Sequence, residues 1–335
     1  MDTAQLGEWS RLLLTGALAA YLVAGMAYAA ELFTRRQATH VVTARERELV
    51  IAGDRGAQEL SGSNGVSAQF GSPPDLTSPD DRAGGPDLIG EADRMGRIGL
   101  SVSVLATLFL AAGVLTRALA VERVPWANMH EFSITGSLVA AAIFLGVART
   151  KAGRSLAPWL VLLLILTLAM AITVLYVAPG PLVTALNSYW LVIHVGMAAT
   201  AFGLFTVAAV VSGLQIASAR AERRDRPTSL PSSGTLDKLA YRLIAVAFPL
   251  WTLGPLILGS VWAEVSWGRY WGWDPKEVWA LITWLAYAAY LHARATAGWK
   301  GTKASGVALV GYATVLFSYF AVNIVFNGLH SYGGL

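Results

Sequence analysis

Eight apolar stretches, each about 20 residues long, divide this 335-residue chain and leave it few architectures to adopt. They run at 12–33, 98–119, 133–148, 157–178, 190–213, 239–261, 277–297 and 304–326, the third being short. Lipid offers no water to backbone N–H and C=O groups, so stretches of this kind cross it as helices that satisfy their own hydrogen bonds. The pattern predicts an all-α polytopic membrane protein of about eight transmembrane helices, with a Trp-rich loop on the external side. Composition agrees: 55% of residues are hydrophobic and 14% charged, and the mean hydropathy of +0.53 lies well above that of a soluble domain. The first stretch is not read as a cleavable signal. It is long, lacks a basic leader and a clear cleavage site, and is followed by Arg35 and Arg36.

Lysine and arginine fall unevenly between the stretches, with 20 of the 25 on one side. That side is cytoplasmic by the positive-inside rule, which leaves both termini external in a bacterial plasma membrane or, alternatively, a thylakoid membrane. The net charge of +4 then reflects topology in membrane lipid and implies no nucleic-acid partner. Residues 60–96 are rich in Gly, Ser, Pro and Asp and read as a disordered cytoplasmic linker, with a shorter one at 221–235. The expected organisation is a first transmembrane helix (1–33), a cytoplasmic segment (34–97) and a seven-helix membrane domain (98–335). No internal repeat of the kind found in secondary transporters is present. Cysteine is absent, which excludes disulfides, thiolate metal sites and a cysteine nucleophile. The chain also lacks C-x-x-C-H and so is not itself a c-type cytochrome.

Between the sixth and seventh stretches lies "WGRYWGWDPKEVW", residues 267–279. Asp274 suits an N-cap, Pro275 the first helical position, and Glu277 the third, where it completes a capping box. The aromatics need another explanation. Trp262, Trp267, Trp271, Trp273, Trp279 and Trp284 put six of the twelve tryptophans within 23 residues, beside Tyr270. An interfacial belt usually spreads one or two aromatics over each of many helix ends. Here they gather in one loop, where Gly268 and Gly272 leave room for a flat object to approach the backbone.

The chain has five histidines. His194 lies near the outer end of the fifth stretch, and His330 just beyond the outer end of the eighth, both on the side of the Trp-rich loop. Two neutral imidazoles on one side can serve as the axial ligands of a haem iron while indoles stack on the macrocycle. Arg269 and Lys276 are placed to pair with its propionates. His292 sits about 22 Å inward along the seventh stretch at 1.5 Å per residue. It is either a ligand of a separate, membrane-embedded site or a snorkelling neighbour of Arg294. Pro249 and Pro255 predict a kink or break in the sixth helix. Such a bend is expected to open a passage between the external site and any separate site at His292.

"WGRYWGWDPKEVW" followed by "ALITWLAYAAYLHAR" resembles the tryptophan-rich WWD signature of the haem-handling proteins of cytochrome c biogenesis. With "WLVIHV" and "GLHSYG", it resembles more specifically the cytochrome c synthase (haem lyase) subunit of the two-component system II pathway, the CcsA (ResC) type. The resemblance covers roughly residues 95–335. It implies that His194 and His330 are the external axial pair for haem b, and that loop 262–279 holds the haem. It further implies that His292 is the embedded ligand receiving haem from the cytoplasmic side, with a second inner ligand from a CcsB (ResB) type membrane subunit. The implied reaction joins haem vinyl groups to the CxxCH cysteines of apocytochrome c, with thiol-reducing proteins keeping the sulfurs available. The residues expected to carry it are His194, His330, Trp267, Trp271, Trp273 and Asp274, with Trp262, Tyr270, Arg269 and Lys276 binding the cofactor. "VPWANMHEF", residues 124–132, resembles a further external element but has His130 where the family has an aromatic. Its loop shows no second feature of a haem site, and His130 is assigned no role. The competing readings are a haem exporter or chaperone without lyase activity, and a transporter for an anionic solute.

Overall fold

The computed structural model describes residues 2–62, 87–180 and 188–330. In chain order the helices are α1 (Thr3–Gly62), α2 (Leu88–Val121), α3 (Met129–Val147), the short α4 (Lys151–Arg154), α5 (Ala157–Thr173), α6 (Tyr189–Arg223) and α7 (Ser233–Trp251). A π-helical segment (Thr252–Leu258) leads into α8 (Gly259–Trp267), followed by α9 (Pro275–Thr296), α10 (Thr302–Tyr319) and the short α11 (Ala321–Ile324). The described residues contain no strand, so the all-α expectation holds.

Six helical segments are long and apolar enough to cross a membrane: Thr3–Thr39, Leu88–Val121, Met129–Val147, Tyr189–Arg223, Ser233–Trp267 and Thr302–Ile324. Two of the eight expected spans fall outside that set. α5 is apolar but only 17 residues long. α9, with 22 residues, carries Lys276, Glu277 and Arg294 in its end turns. Most of the expected linker at 60–96 lies outside the described residues. Where it is described, residues 60–62 end α1 and residues 88–96 open α2. Leu88 starts α2 with Asp87 ahead of it, whose carboxylate accepts the Gly90 N–H at 2.9 Å. The shorter expected linker at 221–235 overlaps the ends of α6 and α7 and leaves residues 224–232 between them.

The chain forms two compact units, residues 1–26 with 99–335, and residues 27–98. In the second, Arg35 bridges Glu31 at 3.0 Å and Asp93 at 2.6 Å and so ties α1 to α2. The first is organised around α6, which packs against α3, α7, α8, α10 and the π segment. The Phe205 and Tyr287 rings stack 3.8 Å apart at 9°, joining α6 to α9. Trp251 Nε1 donates to the Ala280 carbonyl at 3.0 Å, joining α7 to α9.

One buried cluster was not foreseen in the sequence. Glu131, fully buried in the first turn of α3, accepts from Arg117 at 2.9 Å and Arg123 at 2.8 Å, and from the Ala127 N–H at 2.9 Å. Asn128 caps the same helix by accepting the Glu131 N–H at 2.9 Å. These bonds pin the α2–α3 loop. Removing one member of a buried ion cluster leaves the others uncompensated, at a cost of about 3–5 kcal/mol. Glu131→Ala is therefore expected to lower the thermal midpoint of the detergent-solubilised protein clearly. An unchanged midpoint would show that the cluster does not hold the loop.

Candidate functional site

α8 ends at Trp267, where Gly268 takes the left-handed cap conformation (φ 71°) and its N–H bonds the Glu264 carbonyl at 2.8 Å. The chain then runs through Tyr270, Trp271 and Trp273 to α9, which opens on the expected capping box. Asp274 accepts the Lys276 N–H at 3.0 Å, and Glu277 Oε2 accepts the Asp274 N–H at 3.1 Å. Glu277 Oε2 also accepts the Gly272 N–H at 2.8 Å. The residue enclosed between those two amides, Trp273, is held in the left-handed region (φ 57°), a conformation costly for an aromatic and stable only when its surroundings impose it.

Asp274 has more partners. Its Oδ2 accepts the Leu329 N–H at 2.7 Å, and its Oδ1 faces His330 Nδ1 at 2.8 Å. A carboxylate can only accept, so Nδ1 of His330 carries the proton and Nε2 is its acceptor nitrogen. Burial alone would raise the Asp274 carboxyl. The hydrogen bond from His330, with those from the two backbone amides, holds it below the ordinary carboxylate value instead.

His194 reaches an equivalent state by another route. The π turn brings the Gly254 carbonyl toward α6, and His194 Nδ1 meets it at 3.0 Å. A carbonyl likewise only accepts, so Nε2 is again the acceptor nitrogen. The approach is close: a Cβ on Gly259 would lie 2.9 Å from His194 Cε1, and one on Gly254 would lie 2.7 Å from Met197 Cβ. Glycine is required at both positions for this contact.

Trp262 links the two histidines. Buried beneath them, it stacks on His194 at 5.8 Å and 7°, and meets His330 at 5.6 Å and 58°. Trp267 meets His330 edge-on at 5.0 Å. His194, His330, Trp262, Tyr270, Trp271 and Lys276 all line one cavity with an empty volume of about 1160 Å³, counting its mouth. Lys276 Nζ donates to the Ser318 carbonyl at 3.1 Å and Asn323 Oδ1 at 2.7 Å. Burial lowers its ammonium to about 8, with Asp274 opposing the shift.

The cavity lining is mostly apolar, with polar groups at few points. Among the described residues, no three His, Asp or Glu side chains converge to hold a bare metal ion. Two imidazoles suffice for an iron whose other four positions belong to a porphyrin. Among the described residues, Trp126 Nε1 and Trp262 Nε1 are buried donors without an acceptor, and both suit a carboxylate or other oxygen of a guest.

Other expected residues lie elsewhere. Trp273 is 70% exposed and packs edge-on against Trp271 at 5.8 Å, outside the cavity lining. Arg269 also lies outside it and folds over Gly272, occupying the space a Cβ would need. The room expected at Gly272 therefore serves the arginine, and Gly268 serves a helix cap. Trp279 stacks on Phe317 at 3.9 Å, and Trp284 Nε1 donates to Thr252 at 2.9 Å, so both act in helix packing. His292 is exposed near the end of α9 and does not line the cavity, so the expected passage to it through the bend of the sixth span is not part of this site.

His130 is buried, bonded through Nδ1 to the Ala171 carbonyl at 2.7 Å and edge-on to Tyr176, and it too lies outside the cavity. Its loop, which showed no haem-site feature in the sequence, nevertheless builds one wall through Trp126, Ala127, Asn128 and Met129. The signal available in the sequence was a tryptophan in an external loop on the same side as the Trp-rich one.

The sequence model of the family described as "Cytochrome C assembly protein" matches residues 100–330. The "Cytochrome c biogenesis protein CcsA" of Gloeobacter violaceus is 37% identical over 211 residues, covering 47% of this chain and 62% of that protein. Its counterpart in Synechococcus elongatus is 54% identical over 107 residues, 32% of this chain and 33% of the relative. The chain spans about half the length of the curated relatives it matches. A solved structure named "Cytochrome c Heme Lyase CcmF" shares its fold with a TM-score of 0.61 at 17% identity, over 96% of this chain and 47% of that one.

Gly259→Ala should displace the His194 ring and weaken binding of added haem at least as much as a change in the walls alone would. Imidazole supplied in solution should restore the absorption spectrum. An unaltered spectrum would show that the glycine does not set the ring's place.

Proposed function

This chain belongs to the cytochrome c assembly protein family, among its CcsA-type cytochrome c biogenesis members, and from that premise we propose that it is the haem lyase subunit of a two-component synthase that joins haem b to apocytochrome c. The observation that carries the reading is one cavity lined by His194, His330 and Trp262, in which both imidazoles are bonded through Nδ1 and present Nε2 as acceptor. Haem b enters as substrate, with His194 and His330 as its axial ligands. Trp262, Trp271 and Tyr270 supply the apolar contact. Lys276, together with the indole N–H of Trp126, faces the propionates.

In the reaction each CxxCH thiol adds across one vinyl group. An S–H bond and the vinyl π bond are lost, a C–S and a C–H bond form, and no electron leaves the pair. The protein contributes position, placing vinyl and sulfur at contact distance. Trp267, Trp271, Trp273 and Asp274 shape the loop that does so. His292, exposed on α9 away from this cavity, serves a second, inner site whose other ligand comes from a CcsB/ResB-type subunit. Thiol-reducing proteins keep the client cysteines reduced. The setting is a bacterial plasma membrane with both termini external.

Purified with its partner, the protein is expected to show a six-coordinate low-spin haem spectrum. His194→Gly and His330→Gly should each disturb it, and added imidazole should restore it. If both variants keep an unchanged spectrum, these histidines are not the ligands. Co-expression with an apocytochrome separates lyase from carrier: covalent haem supports the former, and bound but never attached haem the latter.

Lys276 makes the site pH-dependent. Its value of about 8 in the folded protein lies below the ordinary 10.5, so the ammonium is present below about 8 and lost as pH rises through it. The charge therefore disfavours the fold at lower pH but attracts carboxylates there. Haem retention should weaken as pH rises from about 7 to about 9. Lys276→Arg should flatten the profile, as should haem dimethyl ester, which has no carboxylates. Equal slopes for haem and its ester would remove Lys276 from propionate binding.

A further inference from the structure

The two imidazoles in the cavity are not backed alike. His330 Nδ1 donates to a carboxylate oxygen of Asp274 at 2.8 Å, a charge-assisted hydrogen bond. His194 Nδ1 donates to the neutral Gly254 carbonyl at 3.0 Å, and that oxygen already receives the Gly259 N–H. A carboxylate behind an imidazole draws on its N–H proton and makes the opposite nitrogen a stronger donor to a metal, an effect of outer partners that is large in metal sites. Support differs as well. His194 rides on a long transmembrane helix and is wedged against Gly259, whereas His330 follows α11 on a short segment anchored by the Leu329 N–H at 2.7 Å to the same Asp274. The first ring cannot follow an iron that moves, and the second shares its anchor with its own hydrogen-bond partner.

We propose that Asp274 is a positioning residue that makes His330 the retained iron ligand, and that His194 is the ligand that gives way to the histidine of an incoming CxxCH segment. The inference rests on the bis-histidine reading given above. In the exchange one Fe–N bond to His194 breaks and one Fe–N bond to the neutral substrate imidazole forms. No electron or proton changes hands. Product bearing its own histidine would then leave by breaking the bond to His330, so the stronger bond keeps haem in place until both thioethers are made.

The test compares the full chain, purified with its partner subunit and loaded with ferrous haem, as His194→Gly and as His330→Gly. The Fe–N(His) stretch of each five-coordinate haem is read by resonance Raman scattering. The His194→Gly protein, which keeps His330, should show the higher frequency, and adding Asp274→Asn should bring it down to that of His330→Gly. Asparagine can still cap α9 through Oδ1, but its NH2 cannot accept the Leu329 N–H that Asp274 Oδ2 accepts, so the double variant is read only where its haem content matches that of the single variants. Loss of haem to a competing acceptor should be about 10-fold or more faster from His330→Gly than from His194→Gly. Equal or reversed frequencies overturn the proposal while leaving the bis-histidine site standing. Six-coordinate spectra unchanged in both single variants overturn that site itself. The two single variants decide the matter even where the double variant is not recovered.

Discussion

The carboxylate of Asp274 joins two parts of the chain that are distant in sequence. It caps α9, fixes the segment after α11 through the Leu329 amide, and orients the His330 imidazole. Only a group that accepts several hydrogen bonds at once and carries a full charge can do this in a buried place. Glu277 secures it from behind by bonding the Asp274 and Gly272 amides. Helix start, loop shape and the His330 tautomer thus depend on two acidic side chains three residues apart.

The opposite wall depends on an ion cluster. Arg117, Arg123 and Glu131 exchange charge-assisted bonds where little water reaches, and hold the loop that brings Trp126 against Gly196 of α6. Such a cluster adds little net stability over apolar packing but defines one arrangement of the loop. The cavity between these walls is apolar over most of its surface and polar at few points, chiefly Lys276, Asn323 and the two indole donors.

How much of this could be read from the residues follows from the range of each interaction. The Asp274, Pro275 and Glu277 cap is local, and the structure reproduces it. The placing of His194 and His330 on one side came from counting apolar stretches, which needs only the rise of a helix. What escaped depends on contacts between distant segments. Gly272 reads as open space until Arg269 is seen folded over it. Trp279 and Trp284 look like members of the aromatic loop until their partners on α10 and the π segment are known. Arg117 and Glu131 are 14 residues apart, across a loop whose course no local rule gives. The end of the 60–96 segment reads as unstructured by composition, yet residues 88–96 form the first turns of α2.

The wide turn at Thr252–Leu258 has a consequence for descent as well as for shape. A π segment behaves as a helix into which one residue has been slipped, so everything after it is turned by about 100° relative to an uninterrupted α-helix. Trp262 and Trp267 face inward because of that offset, and the Gly254 oxygen that holds His194 is made available by it. The facing of the indoles is thus written in the number of residues between Trp251 and Trp262 as much as in their identity. Losing a single codon there would turn Trp262 and Trp267 away from the two histidines they meet without changing either indole.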